Sequence, residues 1–154
     1  MNNGNRNKTF EGFTLLEILL TLGILLVIAT LVFPITLQKA QESKLEVYAN
    51  QLTNDLYYQQ QRSSLKGLSS GIAIDNNGYT LFDGESLSNA SETQVKTYPS
   101  NISINSVALT SGNEIIFPEG KFKPSTYGTL VITDGQSSIS IYINREGLIG
   151  YEIL

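Results

Sequence analysis

A long run of uncharged residues near the amino terminus constrains this chain more than any other feature. From Ile18 to Gln38 no side chain carries a charge, and a single carboxylate, Glu17, stands at the entry to the run. A helix over residues 13–37 would extend about 37 Å, enough to cross a hydrocarbon layer of roughly 30 Å. Because a carboxylate is costly in such an apolar helix, Glu17 predicts a functional role with a partner nearby.

The residues before this run, 1–12, form a short polar leader that contains two cations, Arg6 and Lys8. The positive-inside rule predicts that the leader stays in the cytoplasm and that the residues after the apolar run lie outside the membrane. A cleaved secretory signal is the alternative interpretation. Its apolar region usually spans about 7–15 residues and ends in small residues, whereas this run is longer and continues through Pro34.

The residues that follow the run, 38–66, predict a continuation of the helix because they contain no Gly or Pro. Apolar side chains recur there at intervals of three and four, which gives one stripe for packing: Leu45, Tyr48, Leu52 and Leu56. Gly67, directly after Lys66, predicts the end of the helix.

Residues 67–154 predict a β-rich domain. The turn sequences Asn76-Asn77-Gly78 and Asp134-Gly135 each lie between strand-like segments and predict hairpins. Alternation at Ile139, Ile141 and Ile143 predicts one buried face. We therefore predict an α+β fold: a long N-terminal helix with a membrane-spanning first half, packed by its second half on a C-terminal antiparallel β-sheet.

The composition argues against most enzymes. The chain has no histidine and no cysteine, so it lacks the commonest general base, disulfides and thiolate metal sites. No catalytic motif is present, and we predict no enzymatic activity, no cofactor and no metal. Asp75, Asp83 and Glu85 flank a hairpin without EF-hand spacing, which favours solvated turn carboxylates over a calcium site. A net charge of −4 makes nucleic acid an unfavourable partner.

The segment Gly12-Phe13-Thr14-Leu15-Leu16-Glu17, with Pro34 further along, resembles the prepilin signal of type IV pilins and type II secretion pseudopilins. The resemblance implies cleavage by prepilin peptidase between Gly12 and Phe13, and N-methylation of Phe13. It also implies a pilin-like fold and assembly through a bundle of N-terminal helices, in which Glu17 pairs with the amine of a neighbouring Phe13. A Glu17 side chain that only reaches the membrane interface is the alternative.

Two residues of the apolar run predict a local helix distortion. Pro34 removes one helical hydrogen bond, and Gly23 lowers helix stability, so the intervening helix could loosen when a subunit enters a filament. A simple kink tolerated in lipid is the alternative for Pro34.

The C-terminal part also resembles a subtype. Residues 115–120, 128–132 and 141–149 are similar to the end of minor pseudopilins of the GspH/FimT type. The resemblance implies a minor structural subunit of a type IV pilus or type II secretion pseudopilus. Its implied partners are other subunits, prepilin peptidase, the inner-membrane assembly platform and membrane lipid. The alternative is a signal-anchored envelope protein whose β-rich domain binds a ligand or partner without polymerising.

Overall fold

The computed structural model describes the backbone of residues 13–154, with side chains for 13–30 and 44–154. The predicted leader, with Gly12, lies outside the described residues. The elements follow one another as α1 Leu15–Lys66, β1 Ser70–Asp75, β2 Gly78–Asp83, a 3₁₀ turn Leu87–Asn89, β3 Glu92–Thr97, β4 Ser103–Leu109, β5 Glu114–Phe117, β6 Gly128–Thr133, β7 Ser138–Ile143 and β8 Ile149–Ile153.

The chain divides into two compact units, residues 1–40 and residues 41–154. Residues of α1 belong to both units. Its described side chains fall in two stretches, 15–30 in the first unit and 44–66 in the second.

The fold predicted from the sequence is wrong in three respects. The described side chains of α1 fall in two short stretches, 15–30 in the first unit and 44–66 in the second, so the predicted long helix that is both membrane span and domain support is not seen. Among the residues searched, no helix combines the length and apolarity that crossing a membrane requires. The strands form two antiparallel sheets of four strands each instead of one.

The two sheets arise from pairing between strands that are distant in sequence. The first has the order β3-β2-β1-β5 and the second the order β4-β6-β7-β8. Strand β5 returns to β1, where Ile72 pairs with Ile115, while β4 skips β5 and pairs with β6. Local patterns of hydrophobicity mark where strands lie but do not select their distant partners, which explains the wrong expectation of one sheet.

The two predicted hairpins are confirmed. Asp75 pairs with Gly78 around the first turn, and Thr133 pairs with Ser138 around the second. Asp134 closes the second turn by accepting bonds at Oδ1 from the backbone N–H groups of Ser137 and Gln136, at 2.8 and 3.0 Å. These bonds lower the pKa of Asp134, since they favour its charged form.

The second stretch of α1 supplies one wall of the core. Leu45, Leu52 and Leu56 of the predicted stripe are fully buried, and Tyr48 packs against the same cluster while partly exposed. Inward-facing residues of both sheets complete this core. The second sheet contributes the predicted alternating set, which is buried: Ile139, Ile141 and Ile143. The helix ends at Lys66, because Gly67 adopts a left-handed φ of 61° there.

Buried polar side chains near the end of α1 connect it to the strands and their loops. Gln59 Nε2 donates to the carbonyls of Gly71 and Phe82, at 3.0 and 3.2 Å. Gln60 Nε2 donates to the carbonyl of Gly147, at 2.7 Å. Because Gly71 and Phe82 belong to the first sheet and Gly147 precedes the last strand of the second, these two amides join α1 to both halves of the unit.

Two buried tyrosines beside this core differ in one hydrogen bond. Tyr79 Oη donates to Asp55 Oδ2 at 2.6 Å, whereas Tyr98 Oη has no partner in the described part of the chain. Burial raises the pKa of both hydroxyls, and Asp55 raises each further. Both rings are therefore neutral over the physiological pH range.

We expect Tyr79→Phe to destabilise residues 41–154 by about 2 kcal/mol, because it removes a hydrogen bond to a carboxylate. Tyr98→Phe should be neutral or slightly stabilising, since it removes a buried hydroxyl without a partner. Urea unfolding measures the free energy of unfolding of the two variants. Each variant is the control for the other, because both remove one tyrosine hydroxyl. Equal destabilisation by both substitutions would contradict the assignment of the Asp55 bond.

Candidate interaction surface

The start of α1 is closed by Thr14. Its side-chain Oγ1 and its carbonyl accept hydrogen bonds from the backbone N–H of Glu17, at 3.3 and 3.1 Å. The carbonyl also accepts a bond from the N–H of Ile18 at 3.2 Å. Thr14 is thus the N-cap, and Glu17 lies in the first turn, where the positive end of the helix dipole favours a carboxylate.

This capping arrangement was missed in the sequence, although the signal was present. Thr14-Leu15-Leu16-Glu17 has the spacing of a capping box, in which Ser or Thr is followed three residues later by Glu or Gln. The helix start therefore gives Glu17 a local reason for its position. That reason is compatible with a partner for its carboxylate, because the side chain is exposed.

Residues 13–30 present an unusually apolar surface, which we call the apolar segment. Its large side chains are exposed on all sides of the helix, with exposed fractions from 46% at Ile18 to 78% at Phe13. They are Phe13, Leu15, Leu16, Ile18, Leu19, Leu20, Leu22, Ile24, Leu25, Leu26, Val27 and Ile28. A contiguous patch of this kind marks a surface that is covered by another molecule.

The polar groups of the apolar segment are largely satisfied within it. Thr21 Oγ1 donates to the carbonyl of Ile18 at 2.9 Å, and Thr30 Oγ1 donates to the carbonyl of Val27 at 2.8 Å. These bonds leave few polar atoms for solvent or a ligand. Burial of this surface against other apolar groups therefore leaves few polar groups without a hydrogen bond. Glu17 is the exception.

Gly23 forms a notch in this surface. Within the described part of the chain, no heavy atom lies within 4 Å of the position that a Cβ would occupy there. A groove of about 460 Å³ surrounds the notch, lined by Leu19, Leu20, Gly23, Ile24, Val27 and Ile28. Small residues of this kind let a second helix approach the backbone closely.

The structure places three of the five predicted site residues in the apolar segment. Phe13 is exposed directly before the capped helix, Glu17 is in its first turn, and Gly23 lies further along. Gly12 lies outside the described residues. Pro34 falls within the range of α1, but its side chain is not among those described, so its distorting role stays a prediction, as does that of Gly23.

A second surface has its described lining within residues 41–154, and we call it the Tyr48 groove. It encloses about 540 Å³, a volume typical of sites that receive side chains or small ligands. Its described lining comes from α1 and from the connection between β3 and β4: Lys44, Val47, Tyr48, Gln51, Pro99, Asn101 and Ile102. Sequence reasoning missed it, because the two parts of its lining are about fifty residues apart in the chain.

A charged cluster joins α1 to the edge of the first sheet. Arg62 Nη2 bonds to Asp83 Oδ2 and, at 3.2 Å, to Glu92 Oε2, while Arg62 Nη1 donates to Tyr58 Oη at 3.0 Å. The bond to Tyr58 and the charges of Asp83 and Glu92 raise the pKa of Arg62. Asp83, considered above with Asp75 and Glu85, is thus engaged by a guanidinium group.

The cluster borders a cavity of about 150 Å³, which the side chain of Gln59 also lines. Gln59 Oε1 and Arg62 Nε have no hydrogen-bond partner among the described residues. No group of three acidic, histidine or cysteine side chains suited to a metal ion occurs in the part of the chain searched.

Comparison with protein-family models, with curated proteins and with solved structures found no match for this chain.

Proposed function

We propose that this chain is a structural subunit, a minor pilin or pseudopilin, of a type IV pilus or type II secretion pseudopilus. In this proposal prepilin peptidase cleaves between Gly12 and Phe13, Phe13 is N-methylated, and subunits assemble through the apolar segment. The observation that carries the proposal is the exposed apolar surface of residues 13–30 with one carboxylate at its start.

The apolar segment supports assembly because its chemistry suits two environments. Apolar side chains are stable in lipid, where the subunit would wait at the cytoplasmic membrane, and in a bundle of like helices. The minor pseudopilin subtype is supported by the resemblance of residues 115–120, 128–132 and 141–149 described above. The assembly platform of the inner membrane would move the subunit from one environment to the other.

Glu17 supports the same proposal through its charge. On insertion scales, a carboxylate without a partner costs about 2.5–3.5 kcal/mol at the centre of a membrane-spanning helix. Cleavage after Gly12 would create a positive amine on Phe13, and the amine of one subunit could pair with Glu17 of the next. Cleavage would then control assembly, because it supplies the partner charge.

The experiment that tests the proposal determines the amino terminus of the chain from its native membrane. We expect intact-mass and N-terminal peptide measurements to show a chain beginning at methylated Phe13, recovered with the filament fraction. Gly12→Val should leave the chain starting at Met1 and exclude it from filaments. Gly4→Val, a change of the same kind within the leader, is the control and should be processed normally.

Two results would contradict the proposal. One is a wild-type chain that retains Met1, which would favour an anchored envelope protein whose β-rich unit binds a partner without polymerising. The other is an uncleaved Gly12→Val chain that still enters filaments, since assembly would then not depend on the new amine.

A further inference from the structure

The described lining of the Tyr48 groove combines apolar side chains with two amides, Gln51 and Asn101, and one charged side chain. Ile102 is 3% exposed and forms part of the floor, and Val47, 61% exposed, stands at the surface. The ring of Tyr48 packs edge-on against buried Tyr98, with ring centres 5.5 Å apart. The rings of Tyr98 and Tyr79 also pack together, with centres 5.8 Å apart. This side of the groove is therefore formed by packed aromatic rings, which can contact apolar side chains.

Lys44 gives the groove its charge. It is the only ionisable side chain in the described lining apart from the phenol of Tyr48. The apolar segment carries the opposite charge, because Glu17 is the only charged residue in 13–30. Among the described side chains, each surface thus carries one charge, and the two charges have opposite signs.

We propose that the Tyr48 groove receives the apolar segment of a second copy of this chain, with Lys44 facing Glu17 of that copy. The inference rests on the proposed function, which makes the apolar segment an assembly surface. It adds the surface in residues 41–154 that receives this segment. It also adds a second partner charge for Glu17, beside the Phe13 amine that cleavage creates.

Pairing with Lys44 is compatible with pairing to the amine of Phe13. A carboxylate offers about four acceptor positions, so Glu17 can accept bonds from both cations. A lysine ammonium on a flexible stem can reach the carboxylate over a range of helix positions. The apolar contacts then determine where the segment lies, and the ion pair favours one orientation.

Cross-linking between copies tests the contact directly, because the chain has no cysteine of its own. Two versions of the full-length chain with different tags would be expressed together in the native host. One carries Leu20→Cys or Ile24→Cys, three and seven residues after Glu17 on the same helix face. The other carries Val47→Cys in the groove or, as the matched control, Val95→Cys on β3, where the valine is 70% exposed.

We expect oxidation of the filament fraction to give mixed-tag dimers with Val47→Cys, at least tenfold more than with Val95→Cys. Chains that begin at Phe13 and enter filaments but give no Val47→Cys dimer would overturn the groove while leaving the proposed function intact. Equal dimer yields from both valine positions would also overturn it. Chains that keep Met1 and stay out of filaments would overturn the proposed function and this inference together.

Charge reversal distinguishes a second copy from docking within one chain or in lipid. Lys44→Glu alone should lower incorporation about tenfold, since it places like charges together, and Glu17→Lys alone should lower it further, since it also repels the Phe13 amine. Expressed together they should raise incorporation about tenfold above Glu17→Lys alone, because the lysine of one copy then faces the glutamate of the other. If incorporation recovered only when both changes were in one chain, the segment would dock within a single copy. If it recovered in neither case, Lys44 and Glu17 would not pair. Either result would overturn the inference.

Discussion

Ile24→Arg should remove the chain from filaments while leaving the melting of residues 41–154 unchanged. Ile24 is 53% exposed and borders the notch at Gly23, so an arginine fits there without disturbing the core. An unpaired charge buried in an apolar helix bundle costs about 2.5–3.5 kcal/mol. At about 1.4 kcal/mol for each factor of ten, incorporation should fall by roughly 60- to 300-fold.

Two controls accompany this measurement of filament incorporation. Ile24→Val keeps the surface apolar and should incorporate normally. Val95→Arg adds the same charge to an exposed valine of β3, outside both proposed surfaces, and should also incorporate normally. If Ile24→Arg entered filaments at the wild-type level, the apolar segment would not be the assembly surface.

Leu52→Ala should destabilise residues 41–154 by roughly 3–5 kcal/mol, because it opens a cavity at a fully buried position between α1 and the sheets. Domains of this size are stable by about 5–15 kcal/mol in total, so the change removes a large share of the folding free energy. Urea unfolding of the full chain in a mild detergent measures it.

Leu65→Ala is the matched control for Leu52→Ala. It removes the same atoms from the same helix at a position that is 78% exposed, and should change the free energy of unfolding by less than about 0.5 kcal/mol. If both variants unfolded at the same urea concentration, Leu52 would not be the core residue that its burial indicates.

The position of Glu17 at the helix start determines when its carboxylate is energetically unfavourable. Within the isolated chain, the capped first turn and the helix dipole stabilise a carboxylate there. The cost discussed above arises only when the surrounding apolar side chains are buried. Its effect on assembly therefore depends on what covers residues 13–30, which is the reason to test Phe13 and Lys44 as partners.

Much of the local structure could be predicted from the sequence. The stripe of Leu45, Leu52 and Leu56, the stop at Gly67 and both hairpins follow from periodicity and from turn residues that accept a positive φ. Such features depend on neighbours only a few positions away. The apolar segment was predictable for the same reason, since its composition alone makes it a surface that must be covered.

Only the tertiary structure determines which residues distant in sequence come into contact. The division of the strands into two sheets depends on β5 pairing with β1 and β4 pairing with β6, and local sequence patterns do not encode such choices. The Tyr48 groove likewise exists only because the connection after β3 packs beside α1. Short-range preferences act along the chain and can be read from it, whereas partners distant in sequence are selected by how well whole surfaces fit together.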